Sequence, residues 1–90
     1  MKDRPELRQV LRIIEMEQIF DSLVALKKEG AFHPQQDFDQ LELLNTLIGY
    51  YESPLWRQDY EADEEGLLPH KLKRGVLSQD GLYDFLTDLS

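Results

Sequence analysis

The densest group of chemically reactive side chains is a run of five acids between residues 59 and 65. Closely spaced carboxylates bind calcium in an EF-hand loop, which also needs glycine at its sixth position and glutamate at its twelfth. Counting from Asp59, these positions hold Glu64 and His70, so the sharp turn and the closing ligand are both missing. We therefore expect no specific metal site. Weak cation binding, a solvated acidic face and neutralisation by nearby bases stay open, the bases being Lys71, Lys73 and Arg74.

Candidate catalytic groups are few and isolated. The histidines, His33 and His70, are far apart in the chain, and the absence of cysteine excludes thiolate nucleophiles and thiolate zinc sites. Ser53 and Ser78 stand where helix caps are expected, which explains them without a nucleophilic role. We therefore predict no catalytic residue, no cofactor and no enzymatic activity.

Aromatic residues are interleaved with the acids from Tyr50 to Tyr60. Trp56 and Tyr60 are four residues apart and share a helical face. Such a cluster either anchors a partner protein or builds a small core between the second, third and fourth helices, and we favour the core. The candidate partner surface consists of Tyr51, Trp56, Asp59, Tyr60, Glu61 and Asp63.

The net charge of −8 is confined to the middle of the chain, where residues 31–70 carry nine acids and one base, Arg57. This charge argues against direct nucleic-acid binding, which depends on basic contacts to phosphates. The longest uncharged stretch, Leu43 to Tyr51, is far shorter than the roughly 20 residues that span a bilayer. We therefore expect a cytoplasmic chain that binds neither nucleic acid nor membrane.

The elements that must position these residues are helical. Pro5 and a capping box of Asp3 with Glu6 predict the start of a first helix that runs to Glu29 and stops at Gly30. The later helices are marked by Pro34, by Ser53 with Pro54, and by Ser78, and end near Tyr51, Gly66 and Leu89. The sequence predicts one all-α domain over residues 1–90, a bundle of three to four helices with the first two long and antiparallel and two short C-terminal helices.

The first helix has apolar residues on two opposite sides. It therefore bends or breaks near residues 13–16, or its first turns dock on something outside the core. We favour docking, because no proline or glycine marks a kink. A homodimer through these first turns is then possible. The candidate self-association surface is Leu7, Val10, Leu11 and Ile14.

Several C-terminal motifs resemble an uncharacterised family, domain of unknown function 4298. They are YY-x-S-x-x-W, DYEADE, G-x-LP ahead of LKRGVLS, and D-x-x-Y-D, all between Gly49 and Leu89. The segment from Arg12 to Leu23 resembles the opening helix of that family. Residues 1–11 precede this family-like start, so the resemblance implies that they form an N-terminal extension of the domain. The resemblance implies a small helical fold and a bacterial or phage source, and it supplies no activity, ligand or catalytic residue.

The sequence is most consistent with a small bacterial, non-enzymatic helical module that binds a protein partner of unknown identity. One alternative is an acidic mimic of nucleic acid that occupies a basic protein, which the charge of the middle segment supports. The other alternative is a small enzyme of unknown class.

Overall fold

The computed structural model describes residues 7–88, which form four α-helices and one 3₁₀ turn, with no strand within that range. The all-α prediction is confirmed. The predicted capping box at Asp3 and Glu6, and Pro5 and Leu89, lie outside the described residues. The helices are α1 (Leu7–Lys28), α2 (Phe38–Tyr51), α3 (Pro54–Glu64) and α4 (Gln79–Thr87), and the 3₁₀ turn is Gly75–Leu77.

Local signals set most of the helix ends. Gly30 has φ +73°, and its N–H donates to the carbonyl of Lys27, which ends α1 as predicted. Ser53 and Ser78 accept hydrogen bonds from backbone N–H groups in the first turns of α3 and α4. The serine and glycine signals were therefore read correctly from the sequence.

The start of α2 differs from the prediction. Pro34 lies in a turn closed by N–H donation from Gln36 and Asp37 to the carbonyl of His33. The helix begins only at Phe38, because the Asp37 side chain accepts from the Gln40 N–H and caps it. The proline signal was real, but it marks a turn rather than the first turn of a helix.

Contacts at both ends show that α1 and α2 are antiparallel. Near the start of α2, the Gln40 side chain donates to the carbonyl of Ala31, just beyond the end of α1. Near the end of α2, the Tyr50 hydroxyl donates to the carboxylate of Asp59. The same carboxylate binds Arg12, which lies in the first half of α1. The start of one helix therefore lies beside the end of the other.

The core lies between the four α-helices and the 3₁₀ turn. Its most deeply buried side chains are Ile13, Leu23, Leu47, Val76, Leu77, Leu82 and one charged residue, Asp59. α1 runs without interruption from Leu7 to Lys28, so of the two alternatives for its two apolar sides, a break near residues 13–16, which was not the favoured one, is wrong. The docking alternative agrees with the exposure of the apolar side chains in its first turns.

Candidate functional site

Asp59 is the most highly coordinated side chain of the acidic run and is fully buried. Its Oδ1 accepts from Gln9 Nε2 at 3.0 Å and from Arg12 Nη2 at 2.6 Å. Its Oδ2 accepts from Arg12 Nε at 2.9 Å and from the Tyr50 hydroxyl at 2.6 Å. The two-point contact with a guanidinium is a strong, directional form of ion pairing. Asp59 therefore ties α1, α2 and α3 together.

This arrangement fixes the protonation of the groups around Asp59. Burial raises the pKa of the Tyr50 phenol above its ordinary value, and its hydrogen bond to Asp59 acts in the same direction. The hydrogen bond from Arg12 to Asp59 raises the pKa of the guanidinium. Tyr50 therefore stays a neutral donor and Arg12 a cation at neutral pH. Neither is poised for proton transfer near neutrality.

Trp56 belongs to the core. Its side chain is buried, and its indole N–H donates to the carbonyl of Val76 at 3.0 Å. The ring stacks on Tyr60 with centroids 5.2 Å apart and meets Tyr51 edge-on at 5.0 Å. The favoured core interpretation of the aromatic cluster is therefore correct for this residue.

The predicted partner surface needs a correction at two positions. Trp56 and Asp59 are buried, because the indole packs against the 3₁₀ turn and the carboxylate is surrounded by donors from α1 and α2. The other four members differ in exposure: Glu61 is exposed, and the remaining three are half-buried, namely Tyr51, Tyr60 and Asp63. The six residues do not form one accessible face.

The basic loop neutralises only part of the acidic run. Arg74 Nη1 lies 2.5 Å from Asp63 Oδ1, and the same guanidinium also donates to backbone carbonyls of the preceding loop. Lys73 instead pairs with Asp21 of α1 at 2.9 Å, and this hydrogen bond raises the pKa of Lys73. Neutralisation by the downstream bases, one of the alternatives that the sequence leaves open, is therefore found for Arg74 and not for Lys73. Lys71 is exposed.

A second carboxylate is buried, and the sequence analysis did not predict it. Glu17 of α1 is only 6% exposed, and its Oε1 accepts from the Val76 N–H at 2.7 Å. A Cβ atom at Gly75 would lie 3.1 Å from Glu17 Oε2, so glycine leaves room for this carboxylate. The available signal was a glutamate bordering the buried face of α1, which gives no hint of its distant partner.

One cavity of about 470 Å³ lies beside the loop after α1, where Phe32, His33 and Leu44 form part of its wall. The one ammonium group among the described residues that line this cavity belongs to Lys27, and it forms an ion pair with Asp88.

Among residues 7–88, no three histidine, aspartate or glutamate side chains are grouped to hold a metal ion. Nor is any helix in this range long and apolar enough to cross a membrane.

The outer face of α1 carries a stripe of exposed aliphatic side chains. Leu7 is 72% exposed, Leu11 53% and Ile14 38%. The three lie within about 60° of one another around the helix axis. We call these three residues the α1 stripe, with half-buried Val10 at its edge. The α1 stripe therefore consists of the three exposed residues of the predicted self-association surface, whose fourth residue is Val10.

The opposite side of the same turns is held in place. Gln9 and Arg12 bind Asp59, and Ile13 is fully buried. The other large exposed apolar residues are scattered singly, which is ordinary for a soluble surface. They are Phe38, Leu55, Leu67 and Tyr83. The α1 stripe is therefore a local concentration of apolar surface on a fixed helix.

The comparisons with known proteins agree with the C-terminal motifs. Neither the curated proteins nor the solved structures contain a match. A family model described as domain of unknown function (DUF4298) matches residues 13–90, and so covers α2, α3, α4 and most of α1. The match includes Asp59, Trp56 and Glu17. The chain therefore belongs to the DUF4298 family.

Proposed function

We propose that this chain is a non-enzymatic helical module that binds another protein chain through the α1 stripe. The observation that carries the proposal is the exposure of Leu7, Leu11 and Ile14 together on one face of a continuous helix. Concentrated apolar surface with polar surroundings is typical of protein-binding sites. Such a stripe suits a partner that also presents an amphipathic helix.

The contacts behind the stripe favour binding. Gln9 and Arg12 attach the first turns of α1 to the buried carboxylate of Asp59. A partner would therefore meet a helix that is already ordered, and association costs less conformational entropy when the binding surface is preorganised. The ion pair of Arg12 and Asp59 supports the surface without taking part in it.

The internal ion pairs of the acidic segment support the choice of the α1 stripe as the binding surface. Asp59 and Asp63 are both engaged by arginines of the same chain, which removes two acids from any external electrostatic surface. The absence of cysteine and the family resemblance support a place in the bacterial cytoplasm. We accordingly place the binding function on α1 and not on the acidic run.

Site-specific photocrosslinking in native host cells tests the proposal. A photoreactive phenylalanine analogue at position 11 is expected to give a discrete crosslinked product, because this position lies in the middle of the stripe. The matched control places the same analogue at Leu55, which is exposed to a similar degree on α3. Adding Leu7→Glu should abolish the product at position 11. Equal labelling at positions 11 and 55, or none at either, would refute the proposal.

A further inference from the structure

We infer that the partner of the α1 stripe is a second copy of this chain, with the two α1 helices packed antiparallel. The inference rests on the proposed function, because it names the occupant of the same surface. It is carried by the register of the stripe, by the charges beside it and by the charge balance of α1.

The spacing of the stripe is that of a short coiled-coil seam. Leu7, Leu11 and Ile14 are followed by exposed Gln18, which gives intervals of four, three and four residues. This alternation keeps side chains on one line along two helices that pack at a shallow angle. In an antiparallel pair, Leu11 meets Ile14 of the second copy at the centre, and Leu7 meets Gln18 of the second copy at each edge.

Two charged residues beside the seam favour the antiparallel orientation. Arg8 and Glu15 are exposed and, being seven residues apart, lie on the same flank of the helix. An antiparallel pair brings this flank of one helix against the same flank of the other, so that Arg8 faces Glu15 of the second copy. A two-fold axis repeats the contact. A parallel pair would instead place Glu15 against Val10 of the second copy, with no opposite charge.

The charge balance of the chain also directs self-association to α1. Residues 7–28 carry four bases and three acids, whereas residues 31–70 carry nine acids and one base. Two copies that approach through their middle segments would repel each other strongly. Approach through α1 brings together segments that are close to neutral.

The size of the seam sets the expected affinity. Two segments of this length bury less than the roughly 1,200 Å² at which standard interfaces begin. We therefore expect a reversible dimer with a dissociation constant no tighter than about 1 µM.

Analytical ultracentrifugation of the full chain, from about 1 µM to about 1 mM, tests the inference across the expected affinity range. The wild type should pass from monomer to dimer, and Leu11→Glu should stay monomeric. The matched control, Leu55→Glu on α3, should dimerise as the wild type does, because Leu55 lies outside the seam. A monomeric wild type over the whole range, or a dimer that resists Leu11→Glu, would overturn the inference.

Charge exchange tests the orientation. Arg8→Glu and Glu15→Arg should each weaken the dimer about tenfold, because each places like charges opposite one another at two symmetric sites. The double variant should regain the wild-type affinity, since it restores both opposite-charge contacts. A double variant as weak as the single ones would overturn the antiparallel register.

The second-copy inference and the proposed function can fail separately. A purified chain that stays monomeric, while position 11 crosslinks in cells to a different protein, overturns the second copy and leaves the binding surface in place. No position-specific crosslink together with a monomeric chain would refute both. A dimer sensitive to Leu11→Glu, whose crosslinked product in cells has twice the mass of the chain, supports both.

Discussion

Two regions of this molecule differ in whether their side chains have partners within the chain. In the region that we call the α3 corner, formed by Tyr50, α3 and residues 65–78, polar and aromatic groups find partners within the chain. Asp59 accepts four hydrogen bonds, and the Trp56 indole donates to the carbonyl of Val76. On the α1 stripe, by contrast, Leu7 and Leu11 remain largely exposed to solvent.

The difference separates the motifs that identify the family from the proposed binding surface. The motifs that resemble the family lie largely in the α3 corner, where Trp56, Asp59 and Gly75 make specific internal contacts. The family match begins at residue 13, so it includes Ile14 and leaves out Leu7 and Leu11. A family-specific motif can therefore reflect the demands of packing, while most of the proposed binding surface lies outside the matched residues.

The largest expected effect comes from Asp59→Ala in the α3 corner. This change removes the carboxylate that binds Gln9, Arg12 and Tyr50. Removing one member of a buried ion pair costs about 3–5 kcal/mol of unfolding free energy, because the remaining groups lose their partners. Urea denaturation followed by circular dichroism measures the loss.

Glu61→Gln is the matched control for Asp59→Ala, since Glu61 is an exposed acid two residues along the same helix. Its unfolding free energy should stay within about 0.5 kcal/mol of the wild type. Equal losses from the two variants would show that the α3 corner is no more than an acidic surface.

Trp56→Phe should reduce the unfolding free energy by less than Asp59→Ala does. The change leaves the carbonyl of Val76 without its indole donor and reduces the stacking on Tyr60. A buried acceptor that loses its partner costs about 1–3 kcal/mol. Thermal unfolding should show this loss, whereas Tyr83→Phe should not, because Tyr83 is 54% exposed. An unchanged unfolding free energy for Trp56→Phe would contradict the assignment of the indole to the core.

Stability at alkaline pH should depend on Tyr50. Its pKa is raised in the folded chain, so its contribution to stability is complete below the unfolded value of about 10 and declines as the pH rises toward the folded pKa. Between these limits the wild type should lose up to about 1.4 kcal/mol per pH unit more than Tyr50→Phe. Urea titrations at several alkaline pH values measure the two slopes. Tyr83→Phe should keep the wild-type slope, and equal slopes for wild type and Tyr50→Phe would refute the prediction.

The smallest effect should come from the α1 stripe. Leu11→Ala should change the unfolding free energy of the monomer by no more than about 0.5 kcal/mol, because the side chain is already half exposed. Leu23→Ala on the same helix is the matched control and should cost about 2–5 kcal/mol, since Leu23 is fully buried. Both are measured at low protein concentration, where dimerisation adds nothing to stability. Similar losses for the two would mean that the stripe is packed within the monomer.

The predicted start of α2 was wrong because two local signals compete for the beginning of this helix. Pro34 is compatible with a helix start, but the Asp37 side chain caps α2 three residues later. Proline also suits the second position of a turn, and the backbone hydrogen bonds to His33 show that this role prevailed. Helix starts marked by a serine directly before a helix, as at Ser53 and Ser78, had no such competitor nearby.

The sequence by itself determined where α1 ends and where α3 and α4 begin. Gly30, Ser53 and Ser78 act on backbone groups only a few residues away, so their effect can be predicted without knowledge of the fold. The sequence also identified the α1 stripe, because helical periodicity alone separates it from the residues on the opposite side.

Only the tertiary structure decided which acids are buried. Asp59 and Glu61 belong to the same run, yet Asp59 alone faces Arg12, which is 47 residues away in the chain. Glu17 likewise depends on the backbone of Val76, 59 residues away. A buried carboxylate is stable only where donors converge on it. Such convergence depends on how distant helices approach one another, and local sequence patterns do not contain that information.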